Sequence, residues 1–208
     1  MTPLTKVESA AIPLALANVD TDQLIPARFM KRPRGDGYGS FLLHDLRAEA
    51  GNEAAKLDDP LFQNAKILIA RRNFGSGSSR EAAVYALADF GIRCVFAPSF
   101  GDIFASNAVK NGVLPAQLAE GDIETLLTDG LIAQGGAVRV DLSDQMLHCG
   151  NRVFDFDIDP VWKTQLLNGW DDIDMTRSYQ SAIEAFVEGD RVTRPWAEPD
   201  RDGPVASG

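Results

Sequence analysis

Residues 66–90 read KILIARRNFGSGSSREAAVYALADF, and this stretch decides the fold. The apolar, β-branched run at 67–70 predicts a buried strand, and the later apolar spacing predicts a helix over 78–90. Gly75 and Gly77 form the turn between these two elements. The order of strand, glycine turn and helix predicts backbone N–H groups exposed at the positive end of the helix.

Three polar side chains stand at the predicted start of this helix. Ser78 and Ser79 supply hydroxyl groups, and Arg80 supplies a guanidinium that can bind a carboxylate or phosphate through two N–H groups. Together with the helix N-terminus they predict a site for a small anionic molecule. The simpler interpretation is a plain glycine turn with Ser78 or Ser79 as the helix cap. It leaves Arg80 unexplained, because the first turn of a helix favours acidic side chains.

The common glycine motifs do not fit this stretch. A Walker-type phosphate loop needs a lysine after its last glycine, and residues 67–109 contain none. The dinucleotide motif needs a glycine where Arg80 stands. A nucleophile elbow needs the order G-x-S-x-G, which residues 75–79 do not have. A serine hydrolase is a distant alternative, since no motif places His44 or His148 beside the serines.

The composition narrows the class of protein. Among 208 residues, 30 acidic residues outnumber 20 basic ones, so the basic footprint of a nucleic-acid-binding protein is missing. We expect no membrane span and no signal peptide. Two cysteines, Cys94 and Cys149, do not suggest a disulfide framework, which favours the cytoplasm. The cysteines and histidines show no metal-site spacing, and two thiols are too few for an iron–sulfur cluster.

The rest of the chain predicts alternating strands and helices. This alternation favours a parallel or mixed sheet with helices packed on it. We expect one domain over 1–188, followed by a tail at 189–208 that is disordered or lies on the surface, because it is rich in proline, glycine and charge. The further strands are expected at 12–17, 94–97, 138–140 and 153–158. The further helices are expected at 99–108 (or from 101), 122–127, 161–167 and 179–187.

A series of short motifs follows one another in a fixed order. They are Asn18-Val19-Asp20-Thr21-Asp22 with Ile25-Pro26, Asn73-Phe74-Gly75-x-Gly77-Ser78-Ser79-Arg80-Glu81, Ala97-Pro98-Ser99-Phe100 with Asp102-Ile103-Phe104, Asn107 with Leu114-Pro115, and Leu167-Asn168-Gly169 with Asp171-Asp172-Ile173. From about residue 7 to residue 187 this order resembles the small subunits of isopropylmalate isomerases (3-isopropylmalate dehydratases), within the aconitase superfamily. The resemblance implies an α/β fold, the three-layer β/β/α swivelling domain of the aconitase C-terminal type, with a mixed sheet.

The resemblance also implies a reaction and a partner. The reaction is the removal of water from a hydroxy-dicarboxylate and its re-addition at the neighbouring carbon, in leucine biosynthesis. The partner is a large subunit that carries a [4Fe–4S] cluster, so this chain would bind no cofactor itself. A related hydratase for a citramalate-like or methylmalate-like diacid is one alternative. A non-catalytic anion-binding domain that kept the fold is another.

Roles for individual residues follow from the same resemblance. Ser78 matches the base that abstracts the proton, and Ser79 and Arg80 match residues that bind the substrate carboxylate. Asp22 matches an active-site Thr-Asp pair. Arg34, which is followed by a glycine, lies twelve residues beyond Asp22, as a substrate-binding arginine does in aconitases.

The match is not complete at every position. Gly75 and Gly77 agree with the family pattern and would support the site. Ser76 stands where these small subunits usually have Cys, and Ala82 stands where they usually have His.

Residues 28–40, RFMKRPRGDGYGS, form a basic, glycine-rich loop in an otherwise acidic chain. Loops of this type often carry ligand-binding residues, although a solvated surface loop is an alternative interpretation. We expect residues 28–39 to set which diacid is accepted, with Phe29, Met30 or Tyr38 against an apolar substituent.

Overall fold

The computed structural model describes residues 1–49 and 51–197 of the 208. The chain divides into two compact units, Met1–Trp170 and Asp171–Gly208. The strands, all in the first unit, are β1 (Lys6–Leu14), β2 (Ile67–Ala70), β3 (Cys94–Ala97), β4 (Leu114–Gln117), β5 (Ala137–Asp141), β6 (Met146–Cys149) and β7 (Arg152–Asp155). Its helices are α1 (Thr21–Leu24), α2 (His44–Ala48), α3 (Glu81–Phe90), α4 (Asp102–Lys110), α5 (Glu120–Leu127), α6 (Gly130–Ala133) and α7 (Pro160–Asn168). The second unit contains α8 (Asp172–Ser178) and α9 (Gln180–Thr193).

The seven strands form one mixed sheet in the order β4-β3-β2-β1-β5-β6-β7. Strand β1 joins its two halves, because it pairs in opposite senses along its length. Residues 11–14 pair in parallel with β2, whereas residues 6–10 pair antiparallel with β5. Strands β2, β3 and β4 continue the parallel half, and β5, β6 and β7 continue the antiparallel half. The predicted mixed sheet is confirmed.

Side chains that alternate along the parallel strands face two separate hydrophobic cores. Leu68 and Val95 face the first core, where α3 contributes Leu87. Phe96, one residue after Val95, faces the second core together with side chains of β5, β6 and β7. There its ring meets that of Phe156 edge to face, with 5.5 Å between centroids. Helices, parallel strands and antiparallel strands therefore form three layers, which confirms the β/β/α fold.

The structure corrects several predicted strand limits. Strand β1 is Lys6–Leu14 rather than 12–17, because its first half is exposed on alternate residues and only its second half is fully buried. It ends where the Leu16 N–H bonds back to the Leu14 carbonyl. Strand β4 was not predicted, since Pro115 argues against a central strand. Proline is tolerated here because β4 lies at the edge of the sheet.

The helix limits also differ in places. Helix α5 begins at Glu120, two residues before the expected start at 122. The helix expected at 179–187 is longer in the structure, where α9 reaches Thr193. Helix α8, which precedes it, was not predicted. Residues 198–208 of the predicted tail lie outside the described residues. The predicted division at 188 stays a prediction.

Candidate functional site

Three loops meet at the carboxyl ends of β1, β2 and β3. The loop after β2 is held from both sides, since the Gly75 N–H donates to the Val19 carbonyl at 2.7 Å and the Phe74 N–H donates to the Ser99 carbonyl at 3.0 Å. In return, the Gly101 N–H donates to the Phe74 carbonyl at 3.0 Å. In open α/β sheets, ligands bind at this carboxyl edge. The predicted motif therefore lies where the fold favours a site.

The glycines of the loop are required by its geometry. Gly75 has φ +72°, and a Cβ there would lie 2.1 Å from the Phe104 ring. Gly77 has φ +96°, a backbone angle that residues with a side chain rarely adopt. A Cβ on Gly101 would lie 2.6 Å from the Gly75 carbonyl oxygen. The loop can thus approach the start of α4 closely only because Gly75 and Gly101 lack side chains.

The predicted start of the helix after this loop is wrong. Helix α3 begins at Glu81, and Arg80 is its N-cap residue, with no side chain capping the helix. Ser78 and Ser79 precede the helix, because the chain bends at Gly77 and Ser78 and Arg80 still has extended backbone angles. The acidic Glu81 occupies the first turn, so the helix dipole is satisfied in the ordinary way.

The two serines are available to a ligand. The Ser78 N–H donates to the Thr21 hydroxyl at 3.2 Å, which fixes the backbone beside α1. Both serines are exposed. Within residues 1–49 and 51–197, neither hydroxyl has a hydrogen-bond partner. The open N-terminus of α3 follows directly, so hydroxyl and backbone donors lie close together along the chain.

Asp22 and Arg80 are brought together, although 58 residues separate them. Arg80 donates from Nη1 to the Asp22 carboxylate, and its side chain is only 26% exposed. Asp22 lies in α1, which begins with a capping box between Asp20 and Gln23. Asp22 and Arg80, each predicted separately as a site residue, thus form an ion pair next to the serines in the chain.

Arg34 makes its contacts further along α3. Its Nη2 lies 3.1 Å from the Asp89 carboxylate, and its guanidinium carbon lies 3.9 Å from the centroid of the Tyr85 ring. The hydrogen bond with Asp89 raises the pKa of Arg34 above its usual value. The structure therefore pairs Arg34 with the second and third turns of α3 rather than with the serines. Its role in binding substrate stays a prediction.

The aromatic residues of the 28–40 loop serve the loop's own packing. Phe29 stacks on Phe41 with 4.3 Å between ring centroids. Tyr38 is buried, and its hydroxyl donates to the Arg32 carbonyl at 2.8 Å. Met30 remains partly exposed. Two of the three side chains expected to face an apolar substituent are thus already covered.

The cysteines do not fit an iron–sulfur cluster. Burial raises the pKa of the Cys94 thiol to about 12, and burial together with Asp129 raises that of Cys149 to about 11. Both side chains are buried and unpaired. In the part of the chain that the structure describes, no three His, Cys, Asp or Glu side chains come together as a metal site. That part also contains no helix of the length and apolar character needed to cross a membrane.

The fold and the serine loop define a class of protein, and comparison with known proteins identifies the family. The family model of the aconitase C-terminal domain matches residues 1–121. The 3-isopropylmalate dehydratase small subunit of Acidobacterium capsulatum is 45% identical over 208 residues, covering 100% of this chain and 98% of the relative. That of Afipia carboxidovorans is 42% identical, with 94% and 100% covered. The chain belongs to the family of 3-isopropylmalate dehydratase small subunits, hydro-lyases of the aconitase superfamily.

A solved structure agrees at the level of the fold. The 3-isopropylmalate dehydratase (LeuD) of Methanocaldococcus jannaschii aligns with a TM-score of 0.62 at 23% identity. The alignment covers 86% of this chain and 98% of that one.

Proposed function

We propose that this chain is the small subunit of a heteromeric hydro-lyase that interconverts 2-isopropylmalate and 3-isopropylmalate in leucine biosynthesis. The names of the relatives support the reaction and the division into subunits. The observation that carries the proposal is the loop of residues 73–80, fixed between three strand ends with two serine hydroxyls exposed.

Ser78 is proposed to abstract the proton next to the substrate carboxylate. Such a proton is very weakly acidic, so the base must be strong and the growing charge must be stabilised. A serine alkoxide is favoured by nearby positive charge, which Arg80 and the N-terminus of α3 supply. The exposed hydroxyl needs no rearrangement of the loop to reach a substrate.

Ser79 and Arg80 are proposed to bind a substrate carboxylate. A substrate carboxylate would compete with Asp22 for the guanidinium of Arg80. The exchange costs little free energy, because the Asp22 side chain is 58% exposed and ion pairs with a largely exposed partner contribute only about 0–1 kcal/mol. We propose that Asp22 holds Arg80 in position until substrate arrives.

We assign the iron–sulfur cluster to the large subunit, since the cysteines of this chain do not fit one. The cluster would act as a Lewis acid on the departing hydroxyl group. Activity then requires both subunits. A cytoplasmic location fits two unpaired, buried thiols.

Replacement of Ser78 tests the proposal. In the complex of this chain with its large subunit, Ser78→Ala should lower kcat by several orders of magnitude with little change in KM, because the base acts in the transition state. Ser181→Ala, an exposed serine of α9, is the matched control and should leave turnover unchanged. Steady-state kinetics with 3-isopropylmalate decides the matter. Near-normal turnover by Ser78→Ala would show that the base is another group.

A further inference from the structure

A small cavity opens beside Ser78 that the proposed proton transfer does not use. Its volume is about 170 Å³, and it is lined by Gly75, Gly77, Ser78 and residues 101–104 at the start of α4. The close approach of Gly101 to the loop fixes this arrangement. A molecule bound at Ser78 therefore has the first turn of α4 as its neighbour.

One wall of the cavity is apolar. Ile103 lines the cavity and is 53% exposed, so its side chain is accessible to a bound group. Phe104 lies behind it and is buried, with its ring edge to face against Phe74 at 5.4 Å between centroids. Covering Ile103 with an apolar group would remove hydrocarbon surface from water.

The charge in the cavity disfavours a second substrate carboxylate. Asp102 lines the cavity, is exposed, and stands in the first turn of α4. Its carboxylate already satisfies the preference of that helix end for negative charge. A carboxylate entering the cavity would meet a like charge at short range. An uncharged group is the occupant that these walls favour.

We propose that this cavity receives the alkyl substituent of the substrate and that Ile103 selects for its size. The inference rests on the proposed function and names the group that this part of the site recognises. The 28–40 loop offers less apolar surface for the purpose, because Phe29 stacks on Phe41 and Tyr38 is buried. Ile103 thus contacts the substituent on carbon 3 of 3-isopropylmalate, the carbon from which Ser78 removes the proton.

The test uses the complete complex and a series of malates that carry hydrogen, methyl, ethyl or isopropyl at carbon 3. Ile103→Ala should lower kcat/KM for the isopropyl substrate by roughly 10–200-fold and leave that for the unsubstituted substrate within about threefold. For Ile103→Val, kcat/KM for the isopropyl substrate should lie between the values for Ile103→Ala and the wild type. Val153→Ala, at an exposed β-branched residue of β7 outside the cavity, should leave the ranking of substrates unchanged.

The dissociation constant for the large subunit is measured for each variant. Equal loss over the whole series, or no loss, would overturn the inference. A loss that follows weakened binding of the large subunit would also overturn it, because Ile103 would then be a docking contact. If the wild-type complex converts no member of the series, the proposed function itself fails.

Discussion

Both arginines proposed to bind substrate hold carboxylates of their own chain. Arg80 pairs with Asp22, and Arg34 pairs with Asp89. Such internal pairs keep a long side chain in one place, and a substrate carboxylate can replace the partner at small cost because the pairs are partly exposed. The two arginines differ in position. Arg80 is next to the serines, whereas Arg34 contacts the second and third turns of α3.

The role of Arg34 is tested by comparing it with its partner. Arg34→Ala should lower kcat/KM unequally over a panel of hydroxy-diacids, if Arg34 binds substrate and the 28–39 loop sets which diacid is accepted, as we predict. Asp89→Asn should change kcat/KM less than about fivefold, since a partly exposed ion pair contributes about 0.2–1 kcal/mol and the amide oxygen can still accept from the Tyr38 N–H.

Steady-state kinetics of the complex over the panel separates three cases for Arg34. A uniform loss in Arg34→Ala would make it a general carboxylate anchor without a role in specificity. Equal losses in Arg34→Ala and Asp89→Asn would mean that Arg34 only docks its loop onto α3.

Residue patterns could predict part of the site and not the rest. Ser78, Ser79 and Arg80 are adjacent in sequence, so the sequence could predict that they lie in one site. The ion pair between Arg80 and Asp22 was not predicted, because no local rule connects positions so far apart in the sequence. The helix start was placed too early, since a positive φ at Gly77 cannot be read from composition. Ile103 was missed, because exposure of one face of a helix start depends on the neighbouring loops.

At the scale of elements, continuous apolar runs were the reliable signal. Strands β2 and β3 lie at the predicted 67–70 and 94–97, because both faces of a central parallel strand are buried. Strand β1 was harder, since its two halves lie in different environments and follow different patterns. Strand β6 was missed because its four residues form a short hairpin partner with no independent signal.

Asp141 ties the antiparallel half of the sheet together. Its buried carboxylate pairs with Lys6 of β1 at 2.9 Å and accepts the Ser143 N–H at 3.0 Å in the turn after β5. The hydrogen bond from Lys6 is the main reason that the pKa of Asp141 lies below its usual value. A carboxyl with a lowered pKa in the folded state stabilises the fold fully above its unfolded pKa, which is about 3.9. The contribution is lost as the pH falls through the folded pKa.

We therefore expect Asp141→Asn to lower the free energy of unfolding by about 1 kcal/mol at neutral pH. The difference from the wild type should be constant between about pH 6 and 8 and should shrink as the pH falls below about 4. Urea denaturation at a series of pH values measures both. Asp155→Asn, at an exposed position of β7, is the control and should change stability by less than about 0.5 kcal/mol. If the difference in unfolding free energy between Asp141→Asn and the wild type grew as the pH fell, the stabilising role of the ionised Asp141 carboxylate would be contradicted.

At the scale of the whole molecule, the chain carries half of the proposed chemistry. It supplies a base and carboxylate-binding groups, whereas its two thiols lie in the second hydrophobic core on the far side of the parallel strands from α3. A group buried there cannot reach the carboxyl edge of the sheet without unfolding. We therefore propose that the Lewis acid comes from the large subunit.

We expect the isolated chain to be colourless, to bind no iron and to have no dehydratase activity. Anaerobic incubation with ferrous iron and sulfide should produce no cluster absorbance, because cluster assembly needs thiolates and both thiols are buried with raised pKa values. The same treatment of the chain together with its large subunit should give absorbance and turnover. Cys94→Ser and Cys149→Ser are the controls, and neither should reduce the iron content of the complex. Stoichiometric iron and sulfide in the purified single chain would contradict the assignment of the cluster to the partner.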